Sequence, residues 1–90
     1  MKTTKVTNLV LLVKEIQTGF DEQDNEFESL VCEDEQGRVF IIGLNGTNYN
    51  YKRYKVGDIF TIKSARCYSV SPTLSFLYYV RINHLKNKAL

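Results

Sequence analysis

The segment FESLVCEDEQGRVFIIGL, residues 27–44, constrains the fold more than any other part of the sequence. Two apolar, β-branched runs flank the short polar segment DEQG. A glycine at the left-handed position of a short loop is typical of a β-hairpin, and Gly37 takes that position if Asp34 lies opposite Arg38. The register then predicts the following opposed pairs: Cys32 with Phe40, Leu30 with Ile42, Val31 with Ile41, and Glu33 with Val39.

Three further segments predict strands. Residues 5–16 are rich in Val and Leu and lack a clean helical stripe, which favours a strand over a helix. Residues 54–70 begin with a turn at Gly57 and Asp58, and residues 74–85 follow a turn at Ser71, Pro72 and Thr73.

The alternation of apolar residues predicts which strand faces are buried. Residues 5–16 place apolar side chains on both faces, with Val6, Val10, Leu12 and Ile16 on one and Leu9, Leu11 and Val13 on the other. This predicts a long strand shared between two layers. On the other strands the more apolar faces predict that the following residues are mostly buried: Leu30, Cys32, Phe40, Ile42, Ile62, Phe76, Tyr78 and Val80.

A small all-β barrel accounts for this strand pattern. At 90 residues, with 43% apolar and 24% charged residues, the chain is expected to form one folded domain, residues 1–90, rather than a disordered segment. Five strands, with one longer connection between the third and the fourth, predict a closed or nearly closed antiparallel barrel. Closure also removes the unpaired sheet edges.

The net charge of +2 hides an asymmetry between the two halves of the chain. Residues 1–51 carry four basic and nine acidic groups, a net −5, whereas residues 52–90 carry eight basic groups and only Asp58, a net +7. The basic half predicts attraction to a polyanion such as nucleic acid. The alternative is that the two halves pair with each other in the fold.

The residues that catalysis and metal binding require do not occur at matching spacings. Cys32 and Cys67 form no CxxC pair, and His84 is the only histidine, so no zinc site is expected. We therefore expect two reduced core thiols, with a disulfide between Cys32 and Cys67 as the alternative, no metal or other cofactor, and no enzymatic activity. The longest N-terminal apolar run, residues 9–13, is too short for a signal peptide or membrane span, which predicts a cytoplasmic protein without membrane association.

Two motifs make the chain resemble the OB-fold family, particularly its single-stranded nucleic-acid-binding members. CEDEQGRVF, residues 32–40, resembles the D-x-x-G hairpin between the second and third OB strands, and KVGDIFTI, residues 55–62, resembles the step that opens the fourth. The resemblance covers about residues 5–85 and implies a five-stranded OB-like barrel of the small phage or plasmid type that binds single-stranded DNA in replication. The chain departs from the family in the short segment NGTNYNYKRY, where many members carry a helix. An SH3-like small barrel is the alternative fold.

Aromatic and cationic side chains interleave in YNYKRYK, residues 49–55. Single-stranded nucleic acid is held by cations that follow the phosphates and by aromatic faces on which bases stack. The sequence therefore predicts binding of single-stranded DNA or RNA through the following residues: Tyr49, Tyr51, Lys52, Arg53, Tyr54, Lys55, Lys63, Arg66, Tyr68, Tyr79 and Arg81. The alternative for any one of these tyrosines is that its ring closes an end of the barrel.

Two observations favour protein partners. The acidic segment 21–28 contains five carboxylates that would repel phosphates, so the second hypothesis is a protein-interaction module that binds a host or replication protein through this segment. A solvated acidic loop is the simpler interpretation. Val31, Val39 and Ile41 give the hairpin a second apolar face, which predicts a homodimer, a ligand or a covering loop.

Overall fold

The computed structural model describes residues 2–20, 22–43 and 54–82. Within these residues the chain forms five strands: β1 (Thr4–Phe20), β2 (Glu26–Glu33), β3 (Val39–Gly43), β4 (Ile59–Ser71) and β5 (Leu74–Ile82). The strands form one sheet in the order β1-β2-β3-β5-β4, and β4 pairs back with β1 so that the sheet closes in a ring. The all-β prediction is confirmed.

The expectation of a strictly antiparallel sheet is wrong. β3 and β5 run parallel, with Ile41 beside Phe76, whereas the other four neighbouring pairs are antiparallel. The physical reason is the number of strands in the ring. Directions that alternate between neighbours cannot close around an odd number of strands, so a ring of five contains at least one parallel pair.

The β2–β3 hairpin forms in the predicted register. Leu30 pairs with Ile42 and Cys32 pairs with Phe40. Gly37 has φ +82°, and the Asp34 N–H donates to the Arg38 carbonyl at 3.0 Å. The Asp34 carboxylate accepts hydrogen bonds from the Gln36 and Arg38 N–H groups, both at 2.9 Å, and from Arg38 Nε at 2.7 Å. Burial alone would raise the pKa of Asp34, but these hydrogen bonds and the Arg38 charge outweigh it and hold the pKa below its usual value.

β1 contributes residues from both of its predicted apolar faces to one core, although Val10 remains 41% exposed. Leu11 and Val13 are fully buried, and Val6, Leu9 and Ile16 pack against the core from the same side. The inward-facing residues of β1 switch between even and odd positions twice. One switch occurs at Asn8, which has φ +54°, and the other where the register with β2 shifts between Val13 and Glu15. Two irregularities thus curl one strand around one core, and the long strand pairs with β4 through its first half and with β2 through its second.

β5 faces the opposite way from the prediction over its first half. Leu77 and Ser75 are buried, whereas Phe76 is only half-buried and Tyr78 is exposed. Beyond Tyr79, which has φ +53°, the parity changes and Val80 and Ile82 pack against the core. The predicted burial of Tyr78 is thus wrong, and Phe76 is buried only in part, because the ring places their face outside.

The core lies inside the ring and draws on all five strands and Tyr54. Its members are Leu11, Val13, Leu30, Cys32, Phe40, Ile42, Tyr54, Phe60, Ile62, Ala65, Cys67 and Leu77. Cys32 and Cys67 are both buried and free, as predicted for core thiols. Desolvation by burial raises the pKa of the Cys32 thiol to about 12.

Candidate nucleic-acid interface

The predicted contact residues fall into two groups. Tyr49, Tyr51, Lys52 and Arg53 lie outside the described residues. The structure describes the remainder: Tyr54, Lys55, Lys63, Arg66, Tyr68, Tyr79 and Arg81.

Tyr54 is a core ring and not an exposed stacking surface. It is 9% exposed, and its ring centroid lies 5.6 Å from that of Phe60 in a tilted arrangement. The prediction that Tyr54 stacks on bases is therefore wrong. Its burial against Phe60 agrees with the alternative, in which the ring closes an end of the barrel. Lys55, the next residue, is exposed.

The turn after Tyr54 holds Lys55 in place and connects it to β1. The Asp58 N–H donates to the Lys55 carbonyl at 3.0 Å, and the Lys55 N–H donates to the Asp58 carboxylate at 2.9 Å. Gly57 has φ +99° and donates its N–H to the Val13 carbonyl at 2.8 Å. The predicted Gly-Asp turn is present, and its φ explains why glycine occupies it.

Cationic and aromatic residues converge on the outside of the sheet where β1, β4 and β5 meet. Arg66 of β4 pairs with Lys5 of β1 on one side and with Tyr78 of β5 on the other. Ser64 of β4 pairs with Arg81 of β5. We call this surface the basic face and define it as Lys5, Lys63, Arg66, Tyr78, Tyr79 and Arg81, all of them exposed.

Both tyrosines of the basic face are exposed because the alternation of inward and outward residues in β5 is interrupted at Tyr79. Tyr79 is 86% exposed and adopts left-handed backbone geometry with φ +53°. Tyr78, on the preceding position, is also exposed. Two consecutive tyrosines therefore project from the sheet, instead of one projecting outward and one inward as in a regular strand.

Within residues 2–20, 22–43 and 54–82, no acidic side chain forms an ion pair with the cations of the basic face. Among the described residues, the ion pair that the structure contains joins Arg38 and Asp34, on the β2–β3 hairpin. Lys5 and Arg66 stand directly opposite each other across two strands, an arrangement of like charges that is destabilising by itself. An anion bound at this surface would relieve that repulsion.

Contacts with the start of the chain orient the Arg66 guanidinium. Its Nε donates to Thr3 Oγ1 at 3.1 Å and its Nη2 donates to the Thr3 carbonyl at 3.1 Å. These contacts occupy one edge of the planar group. Because guanidinium carries five N–H donors in a fixed geometry, donors remain for a phosphate oxygen.

Tyr68 lies on the neighbouring part of the same outer surface. It pairs with Phe76 of β5 and is half-buried. Its ring therefore lies beside Phe76 on the outside of the sheet and is less exposed than the residues of the basic face.

The acidic segment lies at the other end of β1. The strand runs from Thr4 beside the basic face to Phe20, and the exposed Glu22, Asp24 and Glu26 follow Phe20. Asp21 lies outside the described residues. The attachment of the acidic segment at the far end of β1 separates its carboxylates along the strand from the basic face.

The same region presents an exposed aromatic ring. The Phe27 ring packs over Gly19, where an added Cβ would lie 2.9 Å from a ring carbon. Phe20, the next residue, remains 68% exposed. We call residues 17–20 and 26–29, which pair with each other, the acidic arm.

Sequence reasoning missed Lys5 and Tyr78 as members of the basic face. Lys5 joins it only through the β1–β4 register, which no local pattern reveals. Regular alternation along β5 predicts a buried Tyr78, and the left-handed residue Tyr79 that breaks this alternation is not visible in the sequence. The one signal available was the pair Tyr78-Tyr79, since two successive aromatics fit poorly on a strand with one buried face.

Groups of three or more His, Cys, Asp or Glu side chains that could hold a metal ion do not occur within residues 2–20, 22–43 and 54–82. In the same part of the chain, no helix has the length and apolar character needed to cross a membrane. No protein-family model, curated protein or solved structure matches the chain.

Proposed function

We propose that the protein binds single-stranded nucleic acid, expected to be DNA, on the basic face. The observation that carries the proposal is the convergence of four exposed cations around two outward tyrosines. Phosphates would neutralise the opposed Lys5 and Arg66, and bases would stack on Tyr79 and Tyr78. Each stacked base is worth about 1–3 kcal/mol, and the cations add a salt-dependent attraction.

We further propose that the ring of strands is an OB-type barrel. The OB-fold is a five-stranded Greek-key barrel that binds oligonucleotides on the face of its second and third strands and on the loops between strands 1 and 2 and strands 4 and 5, whereas the basic face lies on β1, β4 and β5. The ring order β1-β2-β3-β5-β4, in which β3 neighbours β5 and not β4, supports this assignment. Closure around the long β1, which pairs with β2 through one half and with β4 through the other, also supports it.

Fluorescence anisotropy with labelled single-stranded and duplex oligonucleotides at two salt concentrations tests the function. Arg81→Ala and Lys63→Ala should each weaken binding to every single strand alike. Each should also make the log–log salt slope shallower by about 0.7, the single-strand value for one lost phosphate contact. Lys14→Ala is the matched control, because Lys14 is an exposed lysine of β1 outside the basic face. If Arg81→Ala and Lys14→Ala change the affinity and the salt slope equally, the basic face is not the binding site.

Tyr79→Ala separates stacking from charge. It should weaken binding by about 1–3 kcal/mol and leave the salt slope unchanged, because stacking releases no counterions. A shallower slope in this variant would contradict the role given to the ring.

A protein-interaction module is the second candidate, and the exposure of Phe20 on the acidic arm favours it. A partner with a basic rim around an apolar pocket would fit this surface. Proteins captured by the immobilised chain should then be lost with Phe20→Ser and retained with Arg81→Ala. If the Phe20→Ser variant captures the same proteins as the original chain, the acidic arm is not the interaction surface.

A further inference from the structure

The basic face has a sharp boundary on one side. Residues 67–77, which complete β4 and begin β5, contain no charged residue. The last cationic row before this uncharged hairpin crosses three strands, with Arg66 paired to Lys5 on one side and to Tyr78 on the other. Arg81 lies on the opposite side of this row from the hairpin. A polyanion bound along the basic face therefore meets the end of the cationic surface at Lys5 and Arg66.

The start of the chain contacts the far side of Arg66. Thr3 precedes the Thr4–Cys67 pair, so it lies on the side of Arg66 that faces away from Arg81. Its hydroxyl and carbonyl oxygens accept hydrogen bonds from Nε and Nη2 of Arg66, both at 3.1 Å. Three of the five guanidinium N–H donors are left for an anion after these two bonds. Thr3 itself lies in the direction in which a bound strand would have to leave the row.

Two cations in direct opposition suit a doubly charged anion. Lys5 and Arg66 are exposed, and their side chains lie on the outer side because the next pair, Val6 and Ala65, faces the core. A phosphate diester inside a nucleic-acid strand carries one negative charge and neutralises one of these cations. A phosphate monoester at a strand end carries a charge of about −1.5 to −2 near pH 7 and neutralises both. Lys2, at the chain start, adds a further exposed cation at the same boundary.

We propose, resting on the function proposed above, that Lys5 and Arg66 bind the terminal phosphate monoester of a single-stranded nucleic acid and that the strand leads from there toward Arg81. Two residues of β4 separate Arg66 from Ser64, the partner of Arg81, which amounts to about 7 Å along the strand direction. Adjacent phosphates of an extended single strand span such a distance, so Arg81 is placed to contact the next phosphate. The base of the terminal nucleotide then lies near Tyr78, which stands beside Arg66.

Fluorescence anisotropy with three forms of one oligothymidylate tests the proposal. The oligonucleotide has about 12 nucleotides, within the range that one small domain covers, and carries its label on an internal base so that both ends are free. The three forms carry a 5′-phosphate, a 3′-phosphate or hydroxyls at both ends. Since one phosphate contact contributes about 0.7 to the salt slope, a phosphorylated form should bind about 8-fold more tightly than the hydroxyl form at about 50 mM salt and about 3-fold more tightly at about 200 mM. The end that gains affinity shows the polarity of the bound strand.

Variants of four cations locate the effect. Lys5→Gln and Arg66→Gln should each bring the phosphorylated form to within about 2-fold of the hydroxyl form. Arg81→Gln should weaken both forms alike and keep their ratio, because it contacts an internal phosphate. Lys14→Gln, at an exposed lysine of β1 outside the basic face, should change neither affinity. Circular dichroism melts of the variants check that each is folded at the temperature of the experiment.

Two further ligands test the charge and the source of the phosphate. A methyl ester on the terminal phosphate keeps the group in place but removes one of its charges, so it should lose most of the preference. Thymidine monophosphate and inorganic phosphate should displace the phosphorylated oligonucleotide only at concentrations far above its Kd, because they make none of its other contacts. Displacement near that Kd would assign the site to free nucleotides or phosphate and overturn the assignment to a strand end.

The remaining outcomes separate this proposal from the proposed function. Equal affinities for the phosphorylated and hydroxyl forms, with Arg81→Gln weakening both, overturn the terminal site and leave nucleic-acid binding on the basic face intact. A preference that persists in Lys5→Gln and Arg66→Gln, or a methyl ester that binds as tightly as the monoester, also overturns the terminal site. Failure of every form to bind the original chain overturns the proposed function together with it.

Discussion

The backbone at Tyr79 leads to a prediction about two adjacent residues. Tyr79 has φ +53° and an 86% exposed ring, so it adopts left-handed geometry with little burial to compensate. Left-handed backbone costs a residue with a side chain about 1–2 kcal/mol, whereas glycine adopts it freely. Tyr78 is not among the residues with positive φ. We therefore expect the order of stability of glycine and alanine to reverse between positions 78 and 79.

The magnitude follows from two opposing terms. Alanine at position 79 keeps the strain of about 1–2 kcal/mol, while glycine relieves it but loses about 0.5–1 kcal/mol through the greater freedom of the unfolded chain. Tyr79→Gly should thus be more stable than Tyr79→Ala by about 0.5–1 kcal/mol. At position 78 only the entropic term remains, so Tyr78→Ala should be more stable than Tyr78→Gly by about 0.5–1 kcal/mol.

Thermal and urea unfolding of the four variants measures both differences. In a domain of this size 1 kcal/mol shifts the Tm by roughly 4–8 °C, so differences of a few degrees with opposite signs are expected. Two differences of the same sign would refute the left-handed geometry at Tyr79 and place the irregularity of β5 elsewhere.

The same variants separate backbone geometry from binding. Tyr79→Gly and Tyr79→Ala both lack the ring, so both should lose about 1–3 kcal/mol of affinity for a single-stranded oligonucleotide despite their different stabilities. If Tyr79→Gly binds as tightly as the original chain, the stacking role is refuted while the backbone argument stands.

Replacing the 5% exposed Phe40 by Ala should lower the free energy of unfolding by about 3–5 kcal/mol, and an unchanged melt would show that the hairpin faces the other way. Gly37→Val should destabilise the domain and Gln36→Ala should do little, because Gly37 has φ +82°; equal Tm values would contradict the loop. The lowered pKa of Asp34 predicts that its carboxylate stabilises the fold above the unfolded-chain value, about 4, and that this stability is lost as pH falls through the folded pKa. Urea midpoints should therefore depend less on acid in Asp34→Asn, and an unchanged acid profile would contradict the assignment. Burial raises the pKa of Cys32 to about 12, so thiol reagents at about pH 8.5 should modify it only in denaturant; rapid modification of the folded protein would contradict its burial.

The β2–β3 hairpin could be predicted from the sequence because its geometry depends on residues that are close together in the chain. A short polar loop with one glycine admits few registers, and the flanking apolar runs select one of them. The pairing of Cys32 with Phe40 and the left-handed Gly37 follow from those residues alone. The turn at Gly57 was readable for the same reason, because its geometry depends on residues that are neighbours in the chain.

Strand parity on β1 and β5 was not readable, because it depends on where the ring bends. Asn8 and Tyr79 adopt left-handed geometry inside strands, and each shifts the residues beyond it to the other face. A sequence pattern that assumes regular alternation therefore assigned Tyr78 to the core. The basic face could not be predicted from the sequence for the same reason, because Lys5, Arg66 and Tyr78 meet only through pairings between β1, β4 and β5.

The sequence by itself determined that the chain is all-β, where its tight turns lie and which hairpin register they enforce. These properties rest on interactions within a few residues, in which steric limits on φ and the period of two leave little freedom. The tertiary structure decided that β3 and β5 run parallel, that Tyr54 is a core ring, and that Tyr79 faces solvent. Those outcomes follow from closing five strands into one ring, which requires a parallel pair and strand irregularities whose positions no local segment specifies.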